Sequence, residues 1–182
     1  MLAVFVVETN SNNKSDDIYV RKYLKSFYVI DSGDDVIRTV YLGGKDKYDD
    51  SAKKKEINNL RLKYLSMYRT DRRIAVFYCI DTDDISRGPD ANENRRKAKE
   101  IEEFCRRNGY EFIWFHEVIE QAFIGKRVSS NEKKSAAERF AKRNLSQFGR
   151  SKLCCSDYSL CKMGTSNLDT VLRRHFKEKV AC

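Results

Sequence analysis

The chain has 182 residues, 41% of them apolar and 35% charged. It is long enough to bury a core without a disulfide or metal staple, and too apolar to stay disordered. Lys and Arg outnumber Asp and Glu by 36 to 27, a net charge of +9 with His neutral. That excess suits a polyanionic partner, nucleic acid first, and is also what a solvated basic surface looks like.

Leu2 to Val7 (LAVFVV) is an unbroken, β-branched apolar run and predicts a buried strand of a parallel sheet. The polar stretch Thr9 to Asp17 follows as a loop. Ile18 to Tyr28 then carries Val20, Tyr23, Leu24 and Phe27 at helical spacing, with Asp16 or Asp17 expected as the N-cap. Val29–Ile30 and Val36 to Leu42 are apolar again, and the SGDD between them predicts a hairpin or a short excursion before the second strand. After Gly43-Gly44, Asp50 to Tyr68 reads as a long amphipathic helix, with Ile57, Leu60, Leu62, Tyr64, Leu65 and Tyr68 mostly on one stripe.

Ile74 to Ile80 (IAVFYCI) is the clearest strand and runs straight into Asp81-Thr82-Asp83-Asp84. A loop around Pro89 leads to a helix over 91–108, closed by Asn108-Gly109. Glu111 to Phe115 predicts a fourth strand, Val118 to Ile124 a helical turn, Asn131 to Phe148 a helix, and Asn167 to Lys179 a last helix. Strand and helix alternate throughout. The expected fold is therefore α/β, a mostly parallel Rossmann-like sheet with helices on both faces. Residues 1–125 form its core, and 126–182 are a basic, cysteine-containing extension of the same domain.

No apolar run approaches the roughly 20 residues that cross a bilayer. The apolar start lacks the basic lead and cleavage site of a signal peptide. A cytoplasmic protein with no membrane partner is expected. The six cysteines fit reducing surroundings. Cys79 and Cys105 sit in apolar patterns as small hydrophobes. Cys154, Cys155, Cys161 and Cys182 with His175 could be set against zinc, but their spacing matches no known zinc pattern, and free thiols are the preferred reading.

Ligands of open α/β sheets collect at the carboxyl ends of the strands. Glu8 ends the first strand, and Asp81 and Asp83 end the third. Residues i and i+2 of an extended chain point the same way, so Asp81 and Asp83 are expected to face one cation, joined by Glu8 if the two strands are neighbours. Three carboxylates offer oxygen-only ligands, which suit Mg²⁺ or Mn²⁺. Such an ion can polarise a phosphodiester and activate water. Acidic residues after a strand also commonly cap a helix or line a solvated loop.

This pattern, VFVVE and then FYCIDTDD, resembles the Toprim domain, and within it the small RloB-like and OLD-type nucleases. The resemblance covers about residues 1 to 125. It implies a metal-dependent nuclease acting on DNA or RNA, with Glu8, Asp81 and Asp83 as catalytic metal ligands. It further implies Glu120 as a ligand of a second metal, a link to phage defence, and an ATPase as partner. Thr9-Asn10 stands where that family usually has glycine. A non-catalytic binding or regulatory module on the same fold is the alternative, and an oligomer is compatible with either.

Glu120 is otherwise an exposed helix residue, and His116 is either a general base or a polar strand end. Lys126 to Lys152 holds nine Lys or Arg against Glu132 and Glu138. Lys126, Arg127, Arg139, Lys142 and Arg143 are the expected nucleic-acid contacts, the last three sharing one helix face. A Rossmann-like dinucleotide enzyme is disfavoured, because no G-x-G-x-x-G follows the first strand.

Overall fold

A computed structural model describes residues 1–68 and 73–180. Four strands, β1 (Leu2–Val7), β2 (Val36–Tyr41), β3 (Ile74–Asp81) and β4 (Glu111–Phe115), form one sheet in the order β2-β1-β3-β4. Every pair is parallel, with Leu2 beside Val36 and Ile74, and Asp81 beside Phe115. Because β2 is parallel to β1, the chain between them is an excursion and not a hairpin. Its turn is closed by Asp35 N–H on the Asp31 carbonyl at 2.7 Å.

The helices are α1 (Ser15–Phe27), α2 (Ser51–Met67), α3 (Ala91–Asn108), α4 (Ile119–Ile124), α5 (Lys133–Ala141) and α6 (Leu168–Leu172). Alternation along the strands decides which helix covers which face. Ala3, Phe5, Val7, Ala75, Phe77 and Cys79 pack with α1, α4, α5 and α6. Leu2, Val4, Val6, Val76, Tyr78 and Ile80 pack with α2 and α3. The chain steps from β1 to β2 through one face, and from β2 to β3 and β3 to β4 through the other. Right-handed crossovers require this change of face when the direction of travel reverses. The reversal leaves a crevice between the carboxyl ends of β1 and β3. Among the described residues no helix is long and apolar enough to cross a membrane.

Several element ends differ from the sequence expectation. The N-cap of α1 is Lys14, in the left-handed region at φ 57°, and not Asp16 or Asp17. On α2 only Ile57 and Tyr64 are buried, while Leu62 and Leu65 face solvent. A repeat of 3.6 keeps 57, 60 and 64 on one stripe and rotates 62 and 65 away from it. Helix α5 stops at Ala141, because Asn144 turns the chain by accepting from Ser146 N–H at 2.9 Å. Helix α6 stops early because the segment after it pairs with the end of α1: Val29 N–H reaches the Lys177 carbonyl at 2.8 Å.

Residues after 125 complete the core. Leu145, Leu153, Leu168, Val171, Leu172 and Phe176 join the β1/β3 face. A polar clasp locks them there. Asp169, fully buried, accepts from the Tyr23 and Tyr28 hydroxyls at 2.6 Å each, from Arg150 at 2.7 Å and from Arg173 at 2.9 Å. Cys154 donates to the same carboxylate at 3.2 Å, and His175 pairs with Glu111 at 2.7 Å. These two side chains of the cysteine-rich tail are thus engaged elsewhere, and Cys182 lies outside the described residues.

Burial pushes the Asp169 carboxyl up, but its tyrosine, arginine and cysteine donors outweigh burial and hold its pKa down to about 2. The stability it contributes is complete above the unfolded value near ~3.9 and is lost as pH falls from there through about 2. Asp169→Ala strands Arg150 and four further donors. Breaking a buried pair in this way costs about 3–5 kcal/mol, to be read by urea unfolding at neutral pH. A loss below 1 kcal/mol would rule out the clasp.

Candidate metal centre at the strand ends

Glu8 follows β1 and Asp81 closes β3, so the β1–β3 pairing brings them together. The Asp81 N–H donates to Glu8 Oε2 at 3.2 Å. The parity that turns Phe77 and Cys79 toward α1 also turns Asp81 toward α1 and α4, where its Oδ1 accepts from Ile119 N–H at 2.9 Å. The next residue of α4, Glu120, is fully buried. The exposed-helix reading of Glu120 therefore fails. Neither of its carboxylate oxygens has a hydrogen-bond partner, and the nearest cation is Lys133 Nζ at 3.5 Å from Oε1.

A fourth carboxylate, Asp16, completes the cluster. It is 4% exposed and accepts from Thr9 N–H at 3.1 Å and Ser15 Oγ at 3.2 Å. From the sequence Asp16 is expected only as a helix cap, which in the structure is Lys14. Its helical register was the available signal, because 16 falls on the same stripe as the buried Tyr19, Val20 and Tyr23. The Tyr19 hydroxyl, buried and without a partner, lies close enough to feel the charges of Glu120 and Asp16, and burial and these charges raise its pKa.

Asp83 departs from the expected geometry. Its backbone is left-handed, at φ 54°, so it does not project alongside Asp81 as the next-but-one residue of an extended strand would. Its N–H bonds the Glu117 carbonyl at 3.0 Å, and Glu117 is itself left-handed at φ 66°. Two bridged non-glycine residues in this sparsely populated region mark the strand ends as strained, as functional sites often are. The Asp83 carboxylate pairs with Lys45, from the turn after Gly43-Gly44. It still lies near enough to Glu8 to repel it.

The site thus has two lobes. Asp81, Asp16 and Glu120 surround Lys133; Glu8 and Asp83 lie beside Lys45. Burial, then Asp16, push Glu8 up to about 7. Burial, then Glu120, push Asp16 up to about 6, and burial with Glu8, Asp16 and Glu120 raises Asp81 strongly. Burial alone would lower the Lys133 ammonium, but Glu120, Asp81 and Asp16 outweigh it and raise it. A cleft of about 270 Å³ opens onto Glu8, Asp16, Asp81 and Lys133.

Among the described residues no group of three or more His, Cys, Asp or Glu side chains is set to hold a metal ion as it stands. The donor chemistry nevertheless fits one: hard carboxylate oxygens, two of them buried without a partner, with ammonium groups in the place of cation charge. Closing the carboxylates on an ion would take side-chain rotation that displaces Lys133 and Lys45. Thr9 and Asn10 are not among the residues with positive φ. The loop after Glu8 therefore needs no glycine; close approach comes instead from Gly44, whose N–H bonds the Glu8 carbonyl at 2.9 Å.

The basic residues divide. Arg127 binds Glu117 at 2.9 Å, at the edge of the site. Lys126 is exposed, and Arg139 rests on Ser135 at 3.2 Å. Lys142 caps α5 and Arg143 lies past it, so the three residues expected to share a helix face do not lie on one helix. His116 is buried, and burial lowers its pKa.

Fold and site define a class: a Rossmann-like α/β protein with an all-parallel sheet and an acidic crevice at its switch point. Compared with protein-family models, curated proteins and solved structures, the chain matches none.

Carboxyls raised to about 6 and about 7 bind protons in the folded state that the unfolded chain, titrating near ~4, has already released. The metal-free protein should therefore lose stability as pH rises from about 4 to about 7. Tm measured in EDTA across that range checks this, and Glu8→Gln should flatten the slope. A Tm independent of pH would contradict the clustered carboxylates.

Proposed function

We propose that the protein is a Toprim-like phosphodiesterase, a Mg²⁺- or Mn²⁺-dependent nuclease acting on DNA or RNA. The observation that carries this reading is the meeting of buried Asp16, Asp81 and Glu120, from three different elements, with half-buried Glu8 just past β1, at one crevice at the switch point. Burial first, and mutual repulsion second, disfavour the charged carboxylates, and a bound cation would relieve both.

Asp81, Asp16 and Glu120 would hold one cation, and Glu8 with Asp83 would serve a second. A bound divalent ion supplies Lewis-acid stabilisation of the phosphate and lowers the pKa of water. The chain's own residues do the rest. The carboxylates orient the site, and Asp81 is fixed by the Ile119 N–H. Lys133 and Lys45, which stand beside these carboxylates, would be available to the phosphate once a cation held the carboxylates. Arg127 lines the approach. The net charge of +9 draws the polyanion in.

A second reading has its own observation. Lys45 already sits on Asp83 and Lys133 beside Glu120, so a non-catalytic module with internal cations, partnered by an ATPase, is also coherent. Mn²⁺ titration by calorimetry separates the two. The nuclease reading expects saturable binding and Mg²⁺-dependent cleavage of a labelled oligonucleotide. Asp81→Asn should lower cleavage at least ~100-fold, because metal stabilisation is worth several kcal/mol, while Tm in EDTA is kept or raised. Undiminished cleavage by Asp81→Asn would defeat the nuclease assignment.

A further inference from the structure

A second cavity, of about 480 Å³, opens beside the acidic crevice on the β4 side of the strand ends. Its walls include Asp84, Ser86 and Arg87 from the loop after β3, His116 and Glu117 after β4, and Lys162 and Met163 from the late segment. Its size falls in the range of small-ligand pockets. The nuclease chemistry proposed above uses none of Ser86, Arg87, His116, Lys162 or Met163.

The walls are fixed by the backbone. His116 N–H bonds the Thr165 carbonyl at 2.8 Å, and Gly164 N–H bonds the His116 carbonyl at 3.3 Å. Gly164 is at φ 72°, and a Cβ there would meet the Gln121 carbonyl oxygen at 3.0 Å. The loop carrying Lys162 and Met163 is therefore seated against α4 where only glycine fits without strain.

The groups in the pocket fit a nucleotide. Arg87 and Lys162 are exposed, and neither makes an ion pair with a carboxylate among the described residues. The two carboxylates nearby are already engaged: Glu117 by Arg127 at 2.9 Å, and Asp84 by the N–H groups of Ser86 and Arg87 at 2.9 Å each. Met163, 64% exposed, offers apolar surface to a base. His116 is 1% exposed. Its Nδ1 has no partner, and its Nε2 meets Ser86 Oγ only at 3.4 Å. A buried ring so poorly satisfied is incomplete without a ligand or water.

The Asp83–Glu117 bridge joins this cavity to the acidic crevice. On the far side of the crevice a further groove of mixed charge holds Asn10, Lys47 and Lys53 with Asp50 and Glu56, Lys53 pairing with Glu56 at 3.3 Å. Groove, crevice and cavity thus follow one another across the ends of β2, β1, β3 and β4.

We infer that this cavity is a subsite for the nucleotide next to the cleaved bond of a single-stranded polynucleotide, with Arg87 and Lys162 holding its phosphate and Ser86, His116 and Met163 its base. The strand then lies across the sheet ends, perpendicular to the β-strands, and not along α5. This inference rests on the nuclease reading for the neighbouring crevice, but the pocket can be tested without it.

The chain has two histidines, and His175, held by Glu111 at 2.7 Å, is an internal control. Imidazole ¹⁵N–¹H spectra of the full chain in EDTA are titrated with dAMP and, separately, with inorganic phosphate. The expected result is a saturable shift of His116 with dAMP and none of His175. Arg87→Gln and Lys162→Gln should each weaken dAMP about tenfold, the loss of one charge-assisted bond. They should also weaken a labelled single-stranded oligonucleotide in EDTA. An unmoved His116, or equal response to phosphate and dAMP, overturns the nucleotide subsite. Since EDTA removes the metal, a saturable His116 shift beside undiminished Asp81→Asn cleavage would uphold the pocket while defeating the nuclease assignment.

Discussion

Right-handed crossover is the constraint on which this molecule turns. Starting from β1, the chain can place β2 on one side only by sending α1 over one face. It can reach β3 and β4 on the other side only by sending α2 and α3 over the opposite face. Helices leave β1 and β3 in opposite directions, so nothing fills the space between their carboxyl ends. Everything that looks chemical in this protein stands around that gap.

Packing then sets what the gap contains. The β1/β3 face is aromatic and dense: Tyr19 stacks on Phe123, Phe5 on Phe77, and Phe140 leans on both Tyr19 and Phe123. This layer holds α1 and α4 so close to the sheet that Asp16 and Glu120 cannot reach solvent. Carboxylates in such a place raise one another's pKa, and Lys133 and Lys45 answer that charge. The same layer excludes water from one flank of the site, which strengthens every electrostatic interaction within it. The late segment, clasped by Asp169, is both the last part of this core and the wall of the neighbouring cavity.

Much of the fold was legible in the sequence. The four strands appear as apolar runs, and the alternation of strand and helix gives the parallel sheet with helices on both faces. The C-cap of α3 at Gly109 is also written locally, because its left-handed conformation favours glycine. The helix ends near Asn144 and after α6 were not. Side-chain turns and long-range backbone pairing decide them, and hydrophobic periodicity does not register either. The Leu62 and Leu65 positions on α2 were misplaced for a related reason: an apolar residue records a tendency to be buried, not a direction.

The site divides along the same line. By itself the sequence determined that Glu8, Asp81 and Asp83 follow strands, because an unbroken apolar run ends where the first acid stands. Only the tertiary structure decided that Asp16 belongs with Glu8 and Asp81, that Glu120 is buried there and not exposed, that Asp83 turns to Lys45, and that His116 faces a separate cavity. These are contacts between residues far apart in the chain. They depend on strand order and on a left-handed backbone at Asp83, and neither leaves a periodic trace. Local chemistry fixes which residues can stand at the end of a strand; the choice of neighbours is made by the crossing of the chain.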